Sequence, residues 1–500
     1  MHPSTVAPAE ATTYGERMDT IMPEPRACWV AGTPEQGETT ATVTHPYDGS
    51  PVADAAVPGD QQVERAVQAA SAAAATMRGT PARTRSAALA TLATRLRDRE
   101  EEITELITAE CGTPITRTPA EVAQAAAFCE AAAETAPCGT GSAHRHPAAQ
   151  DRPAAWVTTR PAPRGPVLGI GSSGAPLWVA VRHAASALAA GAPIVLKPAQ
   201  RAPLSALLLG EMLADAELPT GWFSVLPTGH EATRALAADP RLPVVLASGA
   251  GSTGDRIAAA AGRKPVTHDG GGLGTAVVLS DWPDLARAAE RVAAAGTAPG
   301  GVTSRATQRV IVEEPVADEF VALLSEAVRQ RRTGSPYDDA VDVGPLPDED
   351  AAGGVTDAIA EATAAGALVR AGGTRDGAVV EPTVLSGVDS GVALWERPVT
   401  GPVLAVRVAG SADEAYALAG HTPDGSAAGV FTRDTRRALH ACERIDARSV
   451  TIGDVSAFSG ELCAAGTAGE AGAEGVRAMV DALLADRRTV FLAEAGTELG

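Results

Sequence analysis

The sequence predicts an α/β fold built on wound parallel sheets, and two observations carry that expectation. From Val167 onward, short strand-like runs alternate with Ala-rich helical stretches, the pattern left by parallel strands and their crossover helices. The chain is 500 residues long and 45% hydrophobic, enough for two or three domains with a sizeable buried core.

The elements follow in order. Residues 1–40 are polar, Pro-rich and without periodicity, so a loose N-terminal arm is expected. Asp60 starts a helix through Met77, and Pro81 to about Glu110 reads as another, with apolar and charged faces. Residues 136–155, opening Ala-Pro-Cys-Gly-Thr-Gly-Ser, form a turn-rich connection, and Trp156–Arg160 reads as a strand. Pro243–Ala247 reads as a buried strand, with a helix continuing over Asp255–Ala260. Ser411 and Glu414 set a capping box for a helix to about Leu418. No internal repeat is evident.

Charge and cysteine usage narrow the partners. A formal charge of −20 argues against nucleic acid and other polyphosphate partners. No apolar run approaches the roughly 18 residues that span a bilayer, and no basic-then-apolar signal pattern opens the chain. Six cysteines without metal-ligand spacing fit a reducing compartment. A cytoplasmic protein without membrane or metal is expected. His144 and His146 flank Arg145 but have no third ligand nearby, which reads as solvated loop histidines.

A compositional feature marks one lysine for a site, and a glycine motif points to a phosphate-bearing ligand. Lys197 and Lys264 are the only lysines, and the other 39 of the 41 basic residues are arginine. A lysine kept in such a background needs its compact ammonium head rather than a planar fork; a solvated surface lysine is the alternative. Gly249-Ala250-Gly251-Ser252-Thr253-Gly254 fits G-x-G-x-x-G between the expected strand and helix. Glycines there let backbone approach phosphates, and the helix start supplies free N–H donors. In a chain with 51 glycines, an ordinary turn is the competing explanation.

Six segments then appear in a fixed order: Gly165-Pro166-Val167-Leu168-Gly169-Ile170-Gly171-Ser172-Ser173-Gly174-Ala175-Pro176-Leu177, Ala189-Ala190-Gly191, Ile194-Val195-Leu196-Lys197-Pro198, Leu218-Pro219-Thr220-Gly221, Gly401-Pro402-Val403 and Ala427-Ala428-Gly429-Val430-Phe431-Thr432. In this series the chain resembles the aldehyde dehydrogenase superfamily from about residue 40 to about residue 490. The resemblance implies two wound parallel-sheet domains plus a small oligomerisation arm. Residues 41–139 and 164–270 would form the dinucleotide-binding domain, 271–470 the catalytic-type domain, and 140–163 with 471–500 the arm. It also implies NAD or NADP as cofactor, with Lys197 at the position that holds the adenosine ribose. Gln200 stands where the family often has an acidic ribose ligand, which weakens a strict preference for NAD. The arm implies a homodimer or dimer of dimers, or assembly with an active relative.

At the reaction end the same resemblance shows replacements. Ala298-Pro299-Gly300-Gly301-Val302-Thr303-Ser304-Arg305-Ala306-Thr307-Gln308-Arg309-Val310 resembles the nucleophile loop, and counting back from Arg309-Val310 puts Ser304 where the reactive cysteine stands. No cysteine occurs between Cys138 and Cys442. The family's base glutamate corresponds to His268, and no glutamate lies between Glu231 and Glu290. Its oxyanion asparagine corresponds to Gly174, its nicotinamide-ribose glutamate to Pro398, the adjoining phenylalanine to Thr400, and a nearby lysine to His183. Pocket positions become small at Ser173, Ala175 and Ser459.

The expectation is a protein that binds an NAD(P)-type nucleotide or another small molecule but lacks Cys-dependent aldehyde oxidation. Cysteine suits that chemistry because part of it is already thiolate near neutral pH, whereas serine needs an adjacent base. A Ser304–His268 pair for acyl transfer or hydrolysis is one alternative, with no orienting carboxylate assigned, because Asp269 is adjacent to His268 in sequence and is not assumed to reach its ring. The others are a loop serine beside an idle histidine, and an atypical NAD(P)-dependent aldehyde oxidoreductase. Cys463 near the expected substrate entrance and Cys111 at a helix end read as inert packing residues.

Overall fold

The computed structural model describes residues 25–136, 141–147, 154–270, 273–297, 306–420, 427–447, 449–455 and 473–492. The first sheet has seven strands in the order Val266–Asp269, Val244–Ser248, Val167–Ile170, Ile194–Lys197, Phe223–Val225, Cys28–Val30, Thr33–Glu35. The first five are parallel. Three of them, Val-Leu-Gly-Ile, Ile-Val-Leu-Lys and Val-Val-Leu-Ala-Ser, are buried throughout. Continuous apolar runs are what a parallel sheet covered on both faces requires.

Chain order sets the location of the crevice. Val167–Ile170 lies in the middle, the next two strands are added on one side, and the following two on the other. The winding therefore reverses between Val167–Ile170 and Val244–Ser248. In an open parallel sheet the loops diverge at that point and leave a crevice beyond the strand C-termini. Ile170 is in register with Lys197 and with Ala247, and Ser248 with Asp269, so these strands end at one level.

The second sheet also has seven strands, in the order Leu368–Ala371, Thr383–Ser386, Val403–Ala409, Thr307–Glu313, Gly274–Val278, Ala427–Phe431, Ser449–Ile452. Only its Leu368 edge strand is antiparallel. A third, antiparallel sheet joins Leu484–Leu492, Ala155–Pro163 and Ser142–His146. No described helix is long and apolar enough to cross a membrane.

Several expectations are corrected. The loose arm does not extend to residue 40: Cys28–Val30 joins the first sheet, with Trp29 opposite Val225. Trp29 is buried, packs on Phe223 and donates its indole N–H to the Leu207 carbonyl. A three-residue apolar run is too short to show periodicity, so only the sheet edge reveals it. The helix expected from Pro81 to Glu110 is two, Ala82–Asp98 and Glu100–Cys111. No breaker marks the joint; Arg99 sits there, bonded to Glu102 and Glu211. The turn-rich connection contains the strand Ser142–His146, which pairs with Ala155–Thr159. In the C-terminal segment assigned to the arm, Val476, Met479, Val480 and Leu483 belong to the core of the first domain.

Ser411 Oγ accepts from the Glu414 amide at the start of the helix Ala412–Gly420. Lys264 is not a ligand candidate, because its ammonium caps carbonyls of Ala237 and Asp239 at the end of the helix His230–Ala238.

Two glutamates hold the helices that wall the crevice. Glu110 accepts hydrogen bonds from the amides of Leu204 and Ser205 and from the Ser205 hydroxyl, at the start of the helix Leu204–Ala214. Glu121 accepts from the Trp178 amide in the first turn of the helix Pro176–Ala190. These carboxylates satisfy helix N–H groups that have no partner within the helix.

Burial outweighs those bonds and raises both carboxyls to about 7. For a raised carboxyl, the stability contribution is fully present below the unfolded value near 4.5 and is lost as pH rises through 7. At ~1.4 kcal/mol per unit, Glu110 alone accounts for about 3 kcal/mol. Denaturant unfolding is expected to show lower stability at pH 8 than at pH 5. Glu110→Gln should flatten part of that slope, and an unchanged slope would contradict the assignment.

Candidate active site

The segment after strand Val167–Ile170 enters the crevice as Gly171-Ser172-Ser173-Gly174-Ala175 and turns into the helix Pro176–Ala190, with Pro176 in its first turn. Gly174 offers no side-chain donor. Lys197 ends the neighbouring strand and is only 5% exposed. Its ammonium has no hydrogen-bond or ion-pair partner among the described residues, and burial lowers its pKa to about 8. Gln200 lies exposed three residues on, and Arg201 pairs with Asp348 of the second domain. Gly171, Pro176, Ala180, His183, Lys197 and Ala206 border a small cavity beside this strand end.

The glycine pattern is arranged differently from the expectation. The helix begins at Gly251 rather than Asp255, so Gly254 lies in its first turns. A Cβ at Gly254 would stand 2.5–2.7 Å from the Cε1, Nδ1 and Cγ atoms of His268. Gly249 has φ +143° and donates its N–H to the Asp269 carbonyl at 3.2 Å. A Cβ at Gly270, itself at φ +156°, would stand 1.6 Å from the Gly249 carbonyl oxygen. The loop is thus closed against the end of strand Val266–Asp269, and at Gly254 the missing side chain makes room for a ring of the protein itself.

His268 and Asp269 are neighbours on that strand, and successive side chains on a strand point to opposite faces. His268 faces Gly254, on the side of the helix Gly251–Ala261. Asp269 faces the helix Pro176–Ala190, where Arg182 donates to its carboxylate at 2.6 Å. Arg182 is 1% exposed, and its second terminal nitrogen donates to Ser248 Oγ at 2.9 Å. Asp269 therefore does not orient the His268 ring, whose Nε2 is buried without a partner among the described residues. His183, next to Arg182, is also fully buried with Nδ1 unpartnered, and burial together with the Arg182 charge pushes it well below the usual histidine range.

Arg182 and His183 are the site residues that sequence reasoning underweighted. The signal was present: a basic pair within the otherwise apolar helix Pro176–Ala190 needs buried partners.

In the second domain, the loop carrying Pro398 and Thr400 is fastened to strand Thr307–Glu313. The Gln308 amide donates to the Val399 carbonyl and accepts from the Val399 N–H at 3.1 Å. Arg309 donates to the Trp395 carbonyl at 2.6 Å, and its guanidinium lies 4.9 Å from the Trp395 ring centroid. Pro398 and Thr400 are exposed, and neither carries a carboxylate. Ser304, Ser459 and Cys463 lie outside the described residues, so no distance joins Ser304 to His268.

Residues 29–484 match the aldehyde dehydrogenase family model. The chain is 33% identical over 363 residues to betaine aldehyde dehydrogenase 2 of Rhizobium meliloti (strain 1021), covering 71% of this chain and 74% of that protein. Among solved structures, aldehyde dehydrogenase 21 from Physcomitrella patens, in complex with the reaction product succinate, is 30% identical with a TM-score of 0.87, over 94% of this chain and 98% of that one. The NADP-dependent glyceraldehyde-3-phosphate dehydrogenase from Bacillus halodurans C-125, complexed with NADP, is 26% identical with a TM-score of 0.87, over 94% and 99%. With two wound sheets in the same architecture and a family match along nearly its whole length, the chain belongs to the aldehyde dehydrogenase family.

Proposed function

We propose that this protein keeps the nucleotide-binding half of the family site and lacks Cys-dependent aldehyde oxidation. The observation that carries this reading is the contrast between its two ends. Lys197 is a buried cation with no partner from the described chain, at the end of a strand beside the winding reversal. That environment fits the ribose end of a dinucleotide, while Gly174, His268, Ser304 and Pro398 stand where thiolate chemistry needs a donor, a base, a nucleophile and a ribose clamp. The relatives are named as dehydrogenases, and the reading departs from them on these residues alone. Losing a single oxyanion donor costs about 10²–10³ in rate, and here several groups differ at once.

A nicotinamide cofactor, when bound, supplies the hydride acceptor in such oxidations. This chain's own contribution is to hold the adenosine half through Lys197 and the free N–H groups at the start of the helix Gly251–Ala261, without strict selection at Gln200 between NAD and NADP. Adenosine diphosphoribose should then bind nearly as tightly as NAD in calorimetry. Absence of binding by either at millimolar concentration would remove the nucleotide reading.

Purified protein with NAD or NADP and a panel of aliphatic and aromatic aldehydes should give no nicotinamide reduction above background. Ser304→Cys alone should restore little, because groups acting as a unit are non-additive. The combination with His268→Glu and Gly174→Asn should restore more. Robust turnover by the unmodified chain would establish an atypical oxidoreductase instead.

Self-assembly is part of the same proposal. Strand Leu484–Leu492 is the edge of the third sheet, and Val490, Phe491 and Leu492 are 54%, 55% and 67% exposed. An unpaired edge with apolar side chains favours pairing with another chain. Light scattering at micromolar concentration should report a dimer or larger, and a monomer alone would refute the assembly.

A further inference from the structure

We propose that His268 is a positioning residue of the nucleotide loop: its ring, seated on Gly254, latches the end of strand Val266–Asp269 to the helix Gly251–Ala261. This rests on the nucleotide reading above and gives His268 a task other than that of a base.

Three contacts close the same seam. The ring of His268 occupies the space over Gly254 that a side chain would fill. One turn earlier, the Gly249 N–H is bonded to the Asp269 carbonyl. Between them, Gly270 passes so close to Gly249 that a Cβ on it would stand 1.6 Å from the Gly249 carbonyl oxygen. From the opposite face, Arg182 holds both Asp269 and Ser248, the residues that immediately precede Gly270 and Gly249. The start of the Gly251–Ala261 helix is therefore fixed in height relative to the strand ends by a ring on one face and a buried cation on the other.

Base chemistry fits this arrangement poorly. The orienting carboxylate is on the far side of the strand, and Nε2 is enclosed without a partner among the described residues. A latch needs only the planar shape of the ring, so a planar apolar ring should replace it.

The test is a double-mutant cycle on the full chain with His268→Ala, Gly254→Ala and the pair, plus His268→Phe, read by thermal denaturation and by adenosine diphosphoribose affinity. Truncating the ring opens a void at the seam. His268→Ala is expected to weaken nucleotide binding about tenfold, the scale of one lost packing contact, and His268→Phe should recover most of it. Gly254→Ala should lower Tm when the ring is present and leave it nearly unchanged in His268→Ala, because the collision is with the ring itself.

Additive effects in the cycle, or unaltered affinity in His268→Ala, would overturn the latch. Failure of Phe to recover binding that Ala had lost would overturn it as well, since the imidazole nitrogens would then be what matters. If the unmodified protein binds no nucleotide, the nucleotide reading falls and the Tm cycle alone decides the latch: coupling supports it, additivity rejects it.

Discussion

A guanidinium removed from water must find its counter-charge inside the protein, and the crevice is organised around one that does. Arg182 lies in a helix whose every residue is buried. It reaches Asp269 and Ser248, at the C-terminal ends of two adjacent strands. Removing one partner of such a pair costs about 3–5 kcal/mol; Asp269, with its side chain 27% exposed, belongs toward the lower end. Because the same helix begins at the Gly174–Ala175 entrance and receives the Glu121 cap at Trp178, one buried network fixes the entrance, the strand ends and the glycine loop together.

Much of this fold was legible in the sequence because parallel strands covered on both faces leave unbroken apolar runs, and Val244–Ser248 and Ile194–Lys197 are such runs. What escaped was structure created by partners. Cys28–Val30 is a strand because Thr33–Glu35 turns back along it and Val225 lies on its other side, and Ser142–His146 because Ala155–Thr159 lies beside it. At the break, Arg99 bonds both the nearby Glu102 and Glu211, more than a hundred residues away. Local propensity carries no record of such contacts.

The glycine pattern shows a related limit. A G-x-G-x-x-G match explains each glycine by a ligand's approach, yet absence of a Cβ serves any close neighbour equally well. Gly254 serves the ring of His268, whereas a Cβ at Gly249 would meet nothing nearer than Thr253 Cγ2 at 4.0 Å; the close approach to the Gly249 backbone is made by Gly270, outside the motif. Sequence gives the positions where backbone comes close to something; only the fold identifies what. Strand periodicity, in contrast, could have decided the role of Asp269 in advance. Two consecutive residues on a strand cannot both face one pocket, so a carboxylate directly after His268 could not have been its orienting partner.

Lys197 and Arg182 are both buried cations, and they differ in how their charge is met. Arg182 is neutralised by the chain itself. Lys197, without such a partner among the described residues, bears the cost of burial as a pKa lowered to about 8, so near neutral pH it stays mostly protonated but weakly held in that state. An anionic or hydroxyl-rich ligand placed beside it would stabilise the charged form and recover what burial cost. Among the described residues at the reaction-end positions, Pro398 is exposed and carries no charge, and the ring of His268 packs on Gly254. The proposed nucleotide reading rests on that contrast: no described residue supplies Lys197 with a counter-charge, and neither Pro398 nor His268 offers a carboxylate.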